Sequence, residues 1–148
     1  MKYLAFVFIV TTSLVSSFAQ NSESYRKCIK KASAQSEMNV CANEEAARVE
    51  AELSETYHRL LSMAANQPEA ADKIKASEGA WIAYRDAYME AMYPARDKQG
   101  EYGSIYPMEF DLRRAKLAQQ HVAALRDLIE QYGGDQSATS TTKSTKAR

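Results

Sequence analysis

The chain has 148 residues with 19 basic and 19 acidic side chains, so its formal net charge is zero, and it contains two cysteines. This length corresponds to one small domain. The chain therefore lacks the basic excess that is typical of nucleic-acid-binding proteins.

The first nineteen residues have the pattern of a secretory signal peptide. Lys2 precedes a short apolar run, and Ser17 and Ala19 occupy the −3 and −1 positions of a small-residue cleavage site. The run is shorter than the roughly 20 residues that span a bilayer. We therefore expect residues 1–19 to be removed before Gln20, which predicts a periplasmic or secreted protein with no membrane insertion. An uncleaved membrane anchor is the alternative.

The other end of the chain, "GGDQSATSTTKSTKAR", contains no large apolar residue. Such a segment cannot bury a core, so residues 133–148 are predicted to form a disordered polar tail. The body between the leader and this tail, residues 20–132, has 15 basic and 18 acidic residues and a net charge of −3.

The two cysteines, Cys28 and Cys41, both lie in this body. In an oxidising compartment, one intramolecular disulfide is the simplest prediction. A redox centre or a pair of metal ligands is the alternative. The absence of a C-x-x-C motif and of a nearby histidine favours the structural bridge.

Apolar residues recur every three or four positions through the body, which predicts amphipathic helices. After a short segment near residues 24–32, a long helix is expected to begin with Ser36 as its N-cap. Its apolar stripe comprises Met38, Ala42, Ala46, Val49, Leu53, Tyr57, Leu60 and Ala64. The "NQP" at 66–68 interrupts this pattern and places Pro68 in the first turn of the next helix.

Two further helices are predicted, one from Pro68 to Tyr93 and one from Pro107 to Tyr132. The segment between them, 94–106, contains two glycines and is typical of a loop, and the Gly-Gly pair at 133–134 is expected to end the last helix. The stripe of the middle helix comprises Ile74, Trp81, Ile82, Tyr88, Met89 and Met92. The predicted fold is all-α, a small antiparallel three-helix bundle with a short extra N-terminal helix.

Arg85 lies within the apolar stripe of the middle helix and needs a partner, because an isolated buried charge is very costly. Asp86 is its neighbour in sequence but points about 100° away around the helix. Glu50 borders the apolar face of the first long helix. We therefore predict a structural ion pair between Glu50 and Arg85, with Arg85 stacked on Trp81 one turn earlier. An arginine that holds an anionic ligand is the alternative.

Three segments, "SAQSEMNVCANEE", "EAELSETYHRL" and "ASEGAWIAYRDAY", follow in order along the chain. Together they resemble the family named for the N-terminal domain of the lysozyme inhibitor LprI, over roughly Cys28 to Leu128. The Glu-Met-Asn-x-Cys-Ala and Trp-Ile-x-Tyr-Arg-Asp-Ala elements are specific in combination. The resemblance implies a small helical envelope protein.

The chain departs from the family pattern at several positions. Glu50 stands where the family has Asp, Ser54 replaces the usual Asn, and Glu78 replaces the usual Gln. His121 stands where an Arg often falls. The second cysteine pair that members commonly have is missing.

The sequence contains no catalytic motif such as H-E-x-x-H, G-x-S-x-G or a P-loop. His58 is predicted on an outer helix face, and His121 on an inner face as a hydrogen-bonded core residue rather than a metal ligand. We therefore expect no enzyme activity, no cofactor and no metal.

Two surface features are candidates for binding a protein partner, the outer face of the first long helix and the loop at 94–106. Tyrosine and arginine are favoured at protein interfaces. A solvated helix face and a loop whose tyrosines cap the bundle are the alternatives. The candidate residues are Glu44, Glu45, Glu52, Glu55, Arg96, Lys98 and Tyr102.

These features predict an exported, non-enzymatic binding protein, and the resemblance points to a lysozyme inhibitor whose partner is a peptidoglycan hydrolase. An immunity-type or envelope-stress protein with another protein partner is the first alternative. A small hydrolase is a more distant one, because a bundle of this size offers little room for a polysaccharide cleft.

Overall fold

A computed structural model describes residues 21–145, with side chains described over residues 21–133. All regular elements in this part of the chain are helical, which confirms the predicted all-α class. They are α1 (Glu23–Ile29), α2 (Gln35–Met63), α3 (Pro68–Met92), α4 (Lys98–Tyr102), the 3₁₀ turn η1 (Gly103–Ile105) and α5 (Tyr106–Thr145). The predicted signal peptide and its cleavage site lie outside the described residues. No helix in the described part of the chain is long and apolar enough to cross a membrane.

Helix α2 begins earlier than the sequence predicted. Its N-cap is Ala34, and Ser36, the expected N-cap, lies inside the first turn. The carboxylate of Glu37 causes this shift, because it accepts hydrogen bonds from the backbone N–H groups of Ser33 at 2.6 Å and Ala34 at 3.3 Å. A glutamate at the third helical position can satisfy these otherwise unpaired donors. The same bonds hold the pKa of Glu37 below its usual value.

Most of the tertiary packing joins α2 to α5. Alanines from both helices are fully buried where they meet, and small side chains let two helix axes approach closely. Hydrogen bonds link Asn43 to Asp111 at 3.3 Å and Glu52 to Arg126 at 2.7 Å. Because the residue numbers rise together on both helices, α2 and α5 run in the same direction.

Helix α3 runs against this direction and returns the chain to the start of α5. Near its beginning Ile74 is buried in the main core, and near its end Tyr93 contacts Phe110 of α5. Consecutive long helices are therefore antiparallel, whereas α2 and α5, which form the largest interface, are parallel. The main core comprises Ala46, Val49, Leu53, Leu60, Ala64, Ile74, Ala115, Ala118, Val122, Leu125 and Ile129.

The predicted apolar stripe of α3 is only partly buried. Ile74 and Met89 are buried, whereas Ile82 and Met92 remain 40% and 39% exposed. Helix α3 therefore packs less tightly on its neighbours than α2 and α5 pack on each other. Periodicity alone identified the stripe, but it did not show how much of the stripe a neighbouring helix covers.

The segment predicted as a loop, 94–106, contains α4 and η1. They are joined at Gly103, whose φ is +71°, a conformation that side-chain-bearing residues rarely adopt. An aromatic cluster forms here from Tyr93, Tyr102, Tyr106 and Phe110. The centroid of the Tyr93 ring lies 5.2 to 6.1 Å from the centroids of the other three rings. This second core explains why the segment is ordered: its aromatic residues bury apolar surface.

The predicted end of the last helix at residues 133–134 is wrong. Helix α5 continues through both glycines to Thr145. A glycine ends a helix when it adopts the left-handed conformation, and in the described backbone only Gly103 has a positive φ. Residues 146–148 of the predicted tail lie outside the described residues.

Candidate functional site

A disulfide between Cys28 and Cys41 ties α1 to the beginning of α2, as the cysteine count predicted. The two Cα atoms are 5.7 Å apart, within the usual range for a bridged pair. No free cysteine occurs in the described part of the chain. The bridge ties down α1, a helix too short to be stable alone.

Glu45 is a second anchor for the N-terminal segment, and its predicted outward position is wrong. Its side chain is buried, at 2% exposure. The carboxylate accepts hydrogen bonds from the backbone N–H of Ser22 at 2.9 Å and from the Ser22 hydroxyl. Arg48 donates two more, from Nε and Nη2, both at 3.1 Å. Helical angle alone could not predict this burial, because the covering residue Ser22 is distant in sequence and lies at the N-cap of α1.

The hydrogen bonds determine the charge state of Glu45. Burial by itself would raise the pKa of this carboxyl, but the bonds from Arg48 and Ser22 outweigh that effect and hold its pKa below the usual value. Glu45 is therefore an ionised structural group rather than part of an exposed acidic face.

The acidic face of α2 that remains is smaller than predicted. Glu44 and Glu55 are exposed. Glu52 is half-buried and pairs with Arg48 at 3.3 Å and with Arg126 at 2.7 Å. A surface groove of about 340 Å³ lies beside this network and is lined by Glu52, Glu55, Thr56, Arg59, Arg126, Ile129 and Glu130. The groove mixes both signs of charge, so it does not select an ion of one sign.

The predicted ion pair between Glu50 and Arg85 is wrong. Arg85 instead pairs with its neighbour Asp86, with Nη2 at 2.7 Å from Oδ1, and its side chain is 24% exposed. Its guanidinium lies over the Trp81 ring at 5.2 Å from the centroid, as predicted. Trp81 packs against α5, so this part of α3 approaches α5 rather than the side of α2 that carries Glu50.

The partner of Glu50 is Arg114 of α5, which the sequence argument missed. Its Nε lies 3.1 Å from Glu50 Oε1, and its Nη2 lies 3.4 Å from Asp111 Oδ1. The buried Nε makes no hydrogen bond of good geometry, so its contact with Glu50 is an ionic one. The signal in the sequence was Arg114 itself, since the partner of Glu50 can come from any helix that packs on the α2 stripe.

His121 lies on the inner face of α5, as predicted, and His58 is exposed. The His121 ring stacks on Trp81 with centroids 4.2 Å apart and planes 3° from parallel. Its Nε2 lies 2.8 Å from Oε2 of Glu78, a second partner that the sequence did not predict. These contacts join α3 to α5.

This pair does not belong to a metal-binding group, since no cluster of three or more His, Cys, Asp or Glu residues that could hold a metal ion occurs among the described residues. The histidine of this pair stacks on Trp81, and the Glu78 carboxylate contacts its Nε2. What the pair contributes is packing and a hydrogen bond between α3 and α5.

Of the three interface residues that were predicted in the segment 94–106, the structure leaves one without a side-chain partner among the described residues. Lys98 is half-buried, and its Nζ donates to the backbone carbonyl of Tyr93 at 2.7 Å and to Glu90 at 3.0 Å. The Tyr102 hydroxyl accepts a hydrogen bond from the backbone N–H of Ala95 at 3.3 Å. Arg96 is exposed and has no side-chain partner within the described part of the chain.

Residues 94–97, which we call the Arg96 turn, are fixed at both ends. Lys98 caps the end of α3, and Asp97 accepts a hydrogen bond from the Gly100 N–H at 2.9 Å at the start of α4. A Cβ atom at Gly100 would collide with the Asp97 side chain in this arrangement. These contacts fix the backbone of the turn, on which the Arg96 side chain is exposed.

Comparison with known proteins supports the assignment that the resemblance suggested. The chain matches the family described as lysozyme inhibitor LprI over residues 28–125. It is also similar to an uncharacterized protein of Rhizobium meliloti (strain 1021), with 32% identity over 113 residues, which cover 68% of this chain and 78% of the relative. No solved structure matches the chain.

The matched segment begins at the bridged Cys28 and ends at the core residue Leu125. It thus includes α2, α3, the connection between α3 and α5, and the first half of α5. The chain belongs to the LprI lysozyme inhibitor family.

Proposed function

We propose that this protein is exported, has no enzymatic activity, and binds and inhibits a lysozyme-type peptidoglycan hydrolase. Membership of the LprI family is the observation that carries this proposal. The disulfide between α1 and α2 is consistent with an oxidising compartment outside the cytoplasm, to which the predicted signal peptide would direct the chain.

The charge of the body supports the same partner. Residues 20–132 have a net charge of −3, and Glu44 and Glu55 stand exposed on α2. Many lysozymes are strongly basic, and complementary charge steers two proteins toward each other. Exposed charges are screened over about 10 Å at 0.1 M salt, so inhibition should weaken as salt increases.

The test is a cell-wall lysis assay with a basic lysozyme, carried out at low and high salt with an excess of the purified, oxidised protein. We expect dose-dependent inhibition at low salt that declines at high salt. A Glu44→Gln/Glu55→Gln double variant should inhibit more weakly at low salt and show less salt dependence. Full lysozyme activity at low salt with excess wild-type protein would contradict the proposal.

A binding protein with a different partner is the second candidate, because the exposed side chains of α3 include Tyr84 and Ile82 and aromatic side chains are enriched at interfaces. An immunity-type or envelope-stress role would then replace inhibition. Capture of a non-lysozyme partner from envelope extract, combined with no inhibition, would favour this reading. Release of fragments from purified peptidoglycan by the protein alone would instead indicate a hydrolase.

A further inference from the structure

The Arg96 turn presents an exposed cation, without an ion-pair partner in the described part of the chain, on a backbone that hydrogen bonds hold at both ends. Arg48, Lys75, Lys98 and Arg126 all lie within 4 Å of carboxylates of this chain. Arg96 is exposed and has no such partner among the described residues. It extends from a turn rather than from a helix face, so a partner can approach it closely.

The surroundings of the turn explain why its conformation should persist in the absence of a partner. Lys98 donates to the carbonyls of Tyr93 and Ala95, at 2.7 and 3.5 Å, and Tyr102 accepts from the Ala95 N–H. Tyr93 is 6% exposed and packs against Tyr102 and other aromatic rings. A preorganised turn loses less conformational entropy on binding than a flexible loop does.

The chemistry of Arg96 restricts what it can dock against. A guanidinium that leaves water without a carboxylate partner is strongly destabilised. The planar group has five donors and matches carboxylates in a two-point geometry. A concave site that buries Arg96 must therefore supply acidic groups of its own.

We propose that the Arg96 turn is the inhibitory element of this protein, and that Arg96 inserts between the two catalytic carboxylates of a lysozyme-type cleft. This inference rests on the proposed function. In retaining glycosidases these carboxyl groups are about 5–5.5 Å apart, close enough for one guanidinium to contact both. Lys98 and Tyr102 are positioning residues, which hold the turn and do not enter the cleft. Of the two cations predicted at this interface, Lys98 is engaged with the end of α3, so only Arg96 is free to make the contact.

The experiment compares the inhibition constants of the full-length oxidised protein and its variants for a basic lysozyme at low salt. Arg96→Ala should weaken inhibition at least tenfold, and Arg96→Lys should recover part of the loss, because an ammonium keeps the charge but not the two-point geometry. Arg59→Ala is the matched control, since Arg59 is also exposed, and it should change inhibition less than twofold. Because Arg96 has no described partner, its variants should melt at the wild-type temperature.

A second measurement uses the hydrolase side of the contact. Binding of the wild-type protein to a lysozyme whose catalytic acid is changed to glutamine should weaken, and Arg96→Ala should then cause little additional loss. Wild-type inhibition that Arg96→Ala leaves unchanged would overturn this inference while leaving the proposed function in place. Absence of inhibition by the wild-type protein would overturn both.

Discussion

Removal of the buried Glu45 carboxylate should loosen the residues around Ser22 from α2, while the disulfide still ties α1 to it. In Glu45→Ala, the backbone N–H and the hydroxyl of Ser22 lose their acceptors, and Arg48 loses two contacts at 3.1 Å. Hydrogen bonds to charged groups contribute about 1.5–3 kcal/mol each. The lower part of that range applies here, because Ser22 is half-buried and water can replace part of the hydrogen bonding that it loses in the variant.

The contribution of Arg48 is smaller still. Its side chain is 43% exposed and keeps its contact with Glu52 at 3.3 Å. Partly exposed pairs of this kind contribute about 0–1 kcal/mol. We therefore expect Glu45→Ala to lower the free energy of unfolding by about 2–4 kcal/mol.

Urea denaturation of the oxidised protein, followed by circular dichroism, measures this change. Glu44→Ala is the matched control, because Glu44 adjoins Glu45 on the same helix but is exposed. It should change stability by less than about 0.5 kcal/mol. Equal stabilities of the two variants would refute the description of Glu45 as a buried anchor.

The pH dependence gives an independent check on the same residue. The pKa of Glu45 is lower in the folded protein than its usual value, so the ionised carboxylate stabilises the fold. This contribution is complete above the unfolded pKa of about 4.3 and is lost as pH falls through the folded pKa. The stability difference between wild type and Glu45→Ala should thus be constant above about pH 5 and shrink below about pH 4. A difference that persists at pH 2 would contradict the assignment to an ionised carboxylate.

Three further outcomes follow from the structure. Reduction of the disulfide should lower the free energy of unfolding by about 3 kcal/mol in the chain-entropy model, measured by denaturation with and without reductant. Gly103→Ala should cost about 1–3 kcal/mol, because φ is +71° at this position, and an unchanged melting temperature would contradict that backbone geometry. Arg114→Ala should destabilise the fold more than Arg85→Ala, because Arg114 joins two helices and its loss leaves the buried Asp111 without its cation. A lower melting temperature for Arg85→Ala than for Arg114→Ala would instead favour the Glu50–Arg85 pair that was inferred from the sequence.

The features that the sequence predicted well are those that depend on nearby residues. Helix formers, regular apolar spacing and a proline at the first turn determine where α2 and α3 lie, and the structure places α3 at Pro68–Met92. The disulfide followed from a count of two cysteines and a predicted oxidising compartment. The inward position of His121 and the stacking of Arg85 on Trp81 both followed from helical angle.

The candidate site was predicted less well, because exposure at a given helical angle depends on what covers it. Glu45 and Glu44 looked equivalent from helical angle, but the segment around Ser22 folds over Glu45 alone. Lys98 and Arg96 looked equivalent as loop cations, but only Lys98 is within reach of the carbonyls at the end of α3.

The sequence by itself therefore determined that this chain is helical, which residues form its apolar stripes, and to which family it belongs. The tertiary structure decided the partners of its charges. An ion pair forms only when two charged groups come within a few ångströms of each other. That distance depends on which helices pack together and on how they are aligned along their axes. Because α3 approaches α5 through Trp81 and His121, Glu50 pairs with Arg114 instead of Arg85.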